Sequence, residues 1–245
     1  MRVIRLTNSI FQSTVIRKNS HVSPIMLRLI FPLLVVLMPL LTFAKTPIFG
    51  KAEVEAEQMY DYVRRHNPDF EREVAEAFYR IGERYGVRGD IALCQAIIET
   101  GWFRFDNGTA VKAKSHNYCG LGVKKRGDKG CHFSSIDEGV TAMIQHLYAY
   151  ACAGELPEGE KVVDPRFGFV QRGCAPTWEK LAGRWAMNPH YGHNILRIYT
   201  VLSSHARSGK PTAKIAEGDL LDGLGPDFQH DIDDSVDVAD IELFR

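Results

Sequence analysis

The sequence predicts a mainly α-helical domain, and three observations support this prediction. Apolar side chains recur at three- and four-residue steps over residues 70–85, as on an amphipathic helix. An aspartate suited to an N-cap opens a strongly apolar segment at residues 90–103. A serine and a glutamate with capping-box spacing begin a third helical segment that extends over about residues 135–153.

The remaining segments are shorter or irregular. Residues 51–66 are rich in helix-forming residues and end at an Asn-Pro pair, which favours another helix. Residues 104–133 combine glycine, asparagine and basic residues without helical periodicity, so they indicate a loop or a small hairpin. Prolines make residues 154–176 a loop, and two short helices are expected at 178–187 and 190–205.

Composition is that of an ordinary globular protein. The 245 residues are 45% hydrophobic and 24% charged, which excludes a wholly disordered chain, a collagen-like repeat and a multi-span membrane protein. Thirty basic residues balance thirty acidic ones, but residues 45–216 hold 24 basic and 20 acidic side chains. This small excess fits an anionic partner such as a cell wall and is too weak to indicate nucleic-acid binding.

Charge and hydropathy divide the chain into three parts. Residues 1–44 contain basic but no acidic residues and include a sixteen-residue uncharged run at 29–44. That run is shorter than the roughly 20 residues of a spanning helix and ends in a small-x-small pattern, so we expect a signal peptide or an N-terminal membrane anchor. Residues 45–207 form the predicted domain, and the acidic residues 208–245 form a tail that we expect to be flexible. The protein is thus expected in the periplasm, cell wall or medium, or anchored in the inner membrane.

Export would expose the cysteines to oxidation. Cys94 lies in the apolar helix and is the expected free thiol. The other four allow local pairing as Cys119–Cys131 and Cys152–Cys174, although connectivity does not follow from sequence.

One carboxylate stands out chemically. Glu99 is the only charged residue between Ile91 and Phe103, and no Lys or Arg lies three or four residues from it. Gln95 and Trp102 share its side of the helix. Burial in apolar surroundings raises the pKa of a carboxyl group, and a carboxyl that keeps its proton near neutral pH can act as a general acid. The alternative is a glutamate that only braces the fold through a distant partner.

Five ordered blocks carry a family resemblance: VRGDIALCQAIIETGWFRF, HNYCGLG, FSSIDEGVTAMIQHLYAYA, VDPRFGFVQRGCAPTWEKLAGRW and NPHYGHNILRIY. Together they resemble the bacterial endo-β-N-acetylglucosaminidases that cut peptidoglycan, glycoside hydrolase family 73 and its relatives, over about residues 52–204. The resemblance implies a lysozyme-like helical domain with a small, flexible hairpin or loop lobe beside a groove. It also implies a monomer that acts on peptidoglycan glycan strands without a cofactor, and it gives no role to nucleic acid.

The resemblance also implies roles for particular residues. Glu99 matches the family's catalytic acid, and Tyr191, which follows Asn188-Pro189, matches its essential tyrosine. Asn117 and Gly120 match the block whose amide and backbone are expected to line the sugar groove. Further candidates for sugar contact are Gln95, Trp102, Phe103, Tyr118, Asp128, Trp185 and Asn188. Each aromatic or turn residue among these could instead serve packing alone.

The sequence does not identify the second catalytic group. Glycosidases commonly pair two carboxylates about 5–5.5 Å apart for retention or about 6.5–9.5 Å apart for inversion. Asp106 and Asp128 are the candidates in the irregular segment. The N-acetyl oxygen of the substrate could instead act as the nucleophile, and we favour this substrate-assisted route.

Four other interpretations stay open. His116, Cys119, Cys131 and His132 have residue types that bind zinc, although oxidised cysteines would pair instead. Cys119 near His116 would be needed for a Cys–His hydrolase. A lytic transglycosylase would use the same glutamate and form an anhydro-sugar, and a non-catalytic wall-binding module would keep the groove alone.

Overall fold

The computed structural model describes residues 45–106, 111–123 and 128–208. Its α-helices are α1 (Ala56–His66), α2 (Arg72–Tyr85), α3 (Gly89–Thr100), α4 (Ile136–Ala151) and α5 (Tyr191–Ser208). Short 3₁₀ helices cover Ala113–Ser115, Phe167–Phe169 and Trp178–Leu181. Extended pairing in the described part of the chain is limited to isolated bridges. The prediction of a mainly α-helical, lysozyme-like domain is confirmed.

Helix α3 is the centre of the domain. Every one of its residues is buried, and it packs against α2 and α5. A Cβ atom added at Gly89 would lie 2.1 Å from the carbonyl oxygen of Phe78, so the start of α3 touches the backbone of α2. A helix that is apolar on nearly all sides can be accommodated only in such a core.

Two predicted helix ends are confirmed in detail. Gly86 closes α2 in the left-handed conformation with φ 65°, which glycine adopts at little cost. Ser135 Oγ accepts a hydrogen bond from the backbone N–H of Glu138 at 3.2 Å and so caps α4.

Both ends of α3 differ from the sequence prediction. Asp90 lies inside the first turn, and Arg88 takes the N-cap position. The helix ends at Thr100 and does not reach Phe103, because Gly101 turns left-handed with φ 58°. The chain therefore leaves the helix one residue after Glu99.

The start of α5 lies against the backbone of the preceding 3₁₀ helix. A Cβ at Gly192 would lie 2.2 Å from the carbonyl oxygen of Trp178, which is closer than side-chain carbons approach. Trp178 and Tyr191 are both fully buried at this contact. The close approach therefore brings Tyr191 into the core beside α3.

All five cysteines lie within the described residues and are free thiols there. Cys94 is buried and unpaired with another cysteine, as predicted. Neither Cys119–Cys131 nor Cys152–Cys174 is formed as a disulfide in the structure.

The predicted signal or anchor (residues 1–44) lies outside the described residues, as does the predicted tail beyond Ser208. Both remain predictions. Among the helices that the structure describes, none combines the length and apolar character needed to cross a bilayer.

A buried ion pair fixes the entry to α3. The guanidinium group of Arg88 donates to both carboxylate oxygens of Asp90 at 2.9 and 2.8 Å. Asp90 also accepts from the backbone N–H of Glu53 at 2.8 Å, and Arg88 also donates to the hydroxyl of Tyr199 at 2.6 Å. The side chains of Arg88 and Asp90 are 9% and 0% exposed, so this nearly buried pair connects the segment before α1 with α3 and α5.

We expect Asp90→Ala to lower the free energy of unfolding by about 3 kcal/mol, because the nearly buried Arg88 would keep only the mostly exposed Glu53 as a carboxylate partner. Asp137→Ala is the matched control, since the Arg80–Asp137 pair is about half exposed and should contribute less than about 1 kcal/mol. Urea denaturation of both variants measures the difference. Equal losses would contradict a structural role for the buried pair.

Candidate active site

Glu99 lies in the last turn of α3 and is 5% exposed. Its Oε1 atom accepts a hydrogen bond from the indole Nε1–H of Trp185 at 2.9 Å and another from the hydroxyl of Tyr191. These donors come from a loop and from the first residue of α5. Three separate parts of the chain therefore meet at one carboxyl oxygen.

Tyr191 is held on its other side by α3. Gln95 Nε2 donates to the tyrosine hydroxyl oxygen at 2.9 Å, one helical turn before Glu99. Complete burial, followed by the nearby charge of Glu99, raises the pKa of Tyr191 well above its usual value. The phenol therefore keeps its proton and serves as a donor to Glu99.

Gln95 contributes a second polar atom to this site. Its side chain is fully buried, and its Oε1 has no hydrogen-bond partner within the described residues. A buried acceptor without a partner is costly in a folded protein, and such atoms often mark functional positions.

The turn that follows Glu99 has a strained backbone. Trp102, Phe103 and Phe105 adopt left-handed φ values of 61°, 58° and 55°. Asn67 Nδ2 holds this turn by donating to the carbonyl oxygen of Trp102 at 3.0 Å, and Thr100 Oγ1 accepts from the N–H of Phe103 at 2.9 Å. Each such residue costs on the order of 1–3 kcal/mol, and strain of this kind clusters at functional sites.

The Asn117 block forms a compact turn. Asn117 is fully buried; its Nδ2 donates to the carbonyl oxygens of Leu121 and Cys131, and its Oδ1 accepts from the N–H of Leu121. Gly120 has φ 68°, and nothing lies within 4 Å of where its Cβ would be. The backbone at Gly120 is therefore open to close approach, while the amide of Asn117 is used inside the protein.

Cys119 lies near two carboxyl groups. Burial raises the pKa of its thiol well above the usual value, and the charges of Glu99 and Asp164 raise it further. A thiol in these surroundings stays protonated and is a poor nucleophile. The Cys–His hydrolase hypothesis therefore finds no support at this cysteine.

The remaining candidates lie in different surroundings. Trp102 stacks on His66 with ring centroids 3.8 Å apart, and Tyr118 packs against Phe103 at 5.9 Å, so both rings serve packing contacts. Asn188 accepts from the N–H of His190 at 2.7 Å and shapes the turn before α5. The two candidate second carboxylates are an exposed aspartate, Asp106, and a half-buried one, Asp128.

A cavity of about 560 Å³ lies beyond the strained turn. Phe103, Tyr118 and Asp106 line one part of it, and the loop between α1 and α2 lines another. Glu99 does not line this cavity. The described residues include no group of three or more His, Cys, Asp or Glu side chains arranged to hold a metal ion.

Sequence reasoning missed one pair of residues at this site. His146 Nδ1 lies 2.7 Å from Asp164 Oδ2, and the ring of His146 packs edge-on against Trp185 at 5.1 Å and 80°. His146 lies in the largely apolar part of α4, next to Gln145, so the sequence carries only a weaker form of the signal that singles out Glu99. Its aspartate partner, by contrast, gives no local signal in the sequence.

The fold and the site together define a lysozyme-like helical domain of the glycoside hydrolase class. The sequence profile of the Glucosaminidase family, described as mannosyl-glycoprotein endo-beta-N-acetylglucosaminidase, matches residues 75–203. The chain therefore belongs to the Glucosaminidase family, and this membership supports a peptidoglycan hydrolase activity.

One relative extends the comparison. A protein of Borreliella burgdorferi described as an uncharacterized protein is 34% identical over 167 residues, which make up 66% of this chain and 80% of the relative. No solved structure matches the chain significantly.

We expect Tyr191→Phe to lower the hydrolytic rate about 100-fold, because Glu99 loses a preorganised donor. It should also lower the free energy of unfolding by about 1–3 kcal/mol, since Gln95 Nε2 loses its acceptor. Reducing-end assays and urea denaturation measure the two effects.

Tyr62→Phe is the matched control. The ring of Tyr62 is also buried, but its hydroxyl has no hydrogen-bond partner in the described part of the chain. Its removal should leave both rate and stability within a small margin of the wild type. Similar losses in the two variants would show that the Tyr191 hydroxyl has no special role.

Proposed function

We propose that the protein is an exported hydrolase that cleaves the β-1,4 bond after N-acetylglucosamine in peptidoglycan, with Glu99 as the general acid and then the general base. The observation that carries this proposal is a carboxyl group that is nearly buried and oriented by two neutral donors, Trp185 and Tyr191. Membership of the Glucosaminidase family supplies the class of substrate.

The hydrogen bonds to Glu99 suggest which oxygen carries the transferred proton. Oε1 accepts from both the indole of Trp185 and the hydroxyl of Tyr191, so a proton on the carboxyl group belongs on Oε2. The backbone carbonyl groups at the C-terminal end of α3 carry partial negative charge, so they also disfavour a negative charge in the last turn of the helix. Glu99 would donate the Oε2 proton to the glycosidic oxygen as the bond to the leaving sugar breaks.

The second step needs a nucleophile. In the substrate-assisted route, the carbonyl oxygen of the 2-acetamido group attacks the anomeric carbon, and Glu99 then deprotonates the water that opens the ring intermediate. The fully buried Tyr191 would act through Glu99, by orienting its carboxyl group. Asp106 and Asp128 remain candidates for a base if water attacks directly.

The stereochemistry of the product distinguishes these routes. Participation of the acetamido group retains the β configuration, whereas a single attack by water activated at Asp106 or Asp128 inverts it. NMR of freshly released reducing ends reads the anomer before mutarotation. We expect the β anomer, together with nearly full activity in Asp106→Asn and Asp128→Asn.

Two other functions share this site. A lytic transglycosylase would use Glu99 in the same way but would release an anhydro-sugar and no new reducing end. A wall-binding module would bind sacculi and release nothing. Mass spectrometry of the soluble fragments separates hydrolysis from both.

Glu99→Gln should abolish the release of reducing ends from purified sacculi, because an amide cannot supply the proton. The loss should be at least about 1,000-fold, in line with removal of an essential acid. Circular dichroism should show an unchanged helical fold, since a glutamine oxygen can still accept from Trp185 and Tyr191.

Glu158→Gln is the control, because Glu158 is an exposed glutamate outside the site. It should keep wild-type activity. A Glu99→Gln variant with full activity would exclude Glu99 as the acid, and release of anhydro ends by the wild type would replace hydrolysis by transglycosylation.

A further inference from the structure

His146 and Asp164 form a buried hydrogen-bonded pair next to Trp185. His146 Nδ1 lies 2.7 Å from Asp164 Oδ2, with the side chains 11% and 0% exposed. An ionised carboxylate only accepts hydrogen bonds, so Nδ1 carries the hydrogen and donates it. The bond fixes the orientation of the imidazole ring about its side-chain torsions.

The aspartate of this pair is itself held by α4. Gln145 Oε1 accepts from the backbone N–H of Val163 at 2.7 Å and of Asp164 at 3.0 Å. Asp164 Oδ1 accepts from the N–H of Arg166 at 2.8 Å. Gln145 thus holds the backbone of Asp164, and the adjacent His146 bonds to its side chain. Both residues belong to α4, so the ring of His146 is a rigid support.

That support faces Trp185. The His146 ring meets the indole at 5.1 Å and 80°, and the ring of Tyr150, one turn further along α4, lies 5.7 Å from the indole. Tyr150 also donates through its hydroxyl to the carbonyl oxygen of Arg184 at 2.9 Å, which fixes the backbone next to Trp185. Trp185 belongs to a loop, so these contacts determine where its Nε1–H points.

We propose that His146 is a positioning residue: held by Asp164, its ring fixes the indole of Trp185 so that Nε1–H donates to Glu99 Oε1. The catalytic consequence rests on the proposed function of Glu99, whereas the placement of the indole can be tested without it. Edge-to-face packing of this kind and a buried hydrogen bond together favour one orientation of Trp185 over others. A small displacement of a catalytic group is enough to lower a rate by about 100-fold.

Three variants separate the parts of this support. His146→Phe keeps a ring against Trp185 and loses the donor to Asp164, His146→Asn keeps a donor and loses the ring, and His146→Ala loses both. If His146→Ala does not fold, His146→Asn carries the test, because it leaves Asp164 with a partner.

The first measurement is the indole N–H signal of Trp185 in a proton–nitrogen NMR spectrum. The chain has three tryptophans, and Trp185→Phe identifies the signal by its absence. We expect the signal to shift or broaden in His146→Ala and His146→Asn, and also in Glu99→Ala, which removes the acceptor. His146→Phe should keep the wild-type signal most closely. An unmoved signal in folded His146→Ala overturns the proposal.

The second measurement is a double-mutant cycle on the release of reducing ends. His146→Ala should lower kcat by about 10-fold or more and change KM less than about two-fold, because the sugar contacts remain. The same substitution in a Trp185→Phe background should have little further effect, since its target is absent. Equal fold-losses in the two backgrounds overturn the proposal. If the wild type releases no reducing ends, the proposed function fails, and the indole signal alone decides whether His146 positions Trp185.

Discussion

The hydrogen bonds that converge on Glu99 Oε1 are the constraint on which the arrangement of the site depends. A carboxyl group inside an apolar helix is tolerated only when its oxygens are hydrogen-bonded, because desolvation is otherwise uncompensated. Trp185 and Tyr191 meet this need from segments far from Glu99 in sequence. The close contact of Gly192 with the backbone at Trp178 follows, since α5 must begin there for the Tyr191 hydroxyl to reach the carboxyl group.

The same constraint explains how the chain leaves α3. Glu99 lies near the helix end, and the left-handed residues that follow turn the backbone away at once. The cost of the strained turn is offset by hydrogen bonds from Asn67 and to Thr100.

The features that could be predicted from the sequence are those with a local pattern. The helices and the isolation of Glu99 could be read from periodicity and charge, whereas the role of Tyr191 needed a family resemblance. The strained turn could not be predicted, because aromatic residues such as Trp102 carry no signal for positive φ. The His146–Asp164 pair was missed because its contact forms across a loop. Asp90 was expected as the N-cap because an aspartate before an apolar segment fits that position, and the sequence does not show that its carboxylate instead pairs with Arg88, two residues earlier.

The use of each carboxylate narrows the choice of mechanism. The charges of Glu99 and Asp164 both raise the pKa of the Cys119 thiol, so Asp164 is a further carboxylate to weigh as a base. Its two oxygens are nevertheless engaged by His146 and by the N–H of Arg166, and its side chain is fully buried. A carboxylate held in this way orients other groups and does not activate water. The side chains of Trp185 and Tyr191 both act as donors to Glu99 Oε1, which agrees with the proposed mechanism in which the sugar's own acetamido group supplies the nucleophile.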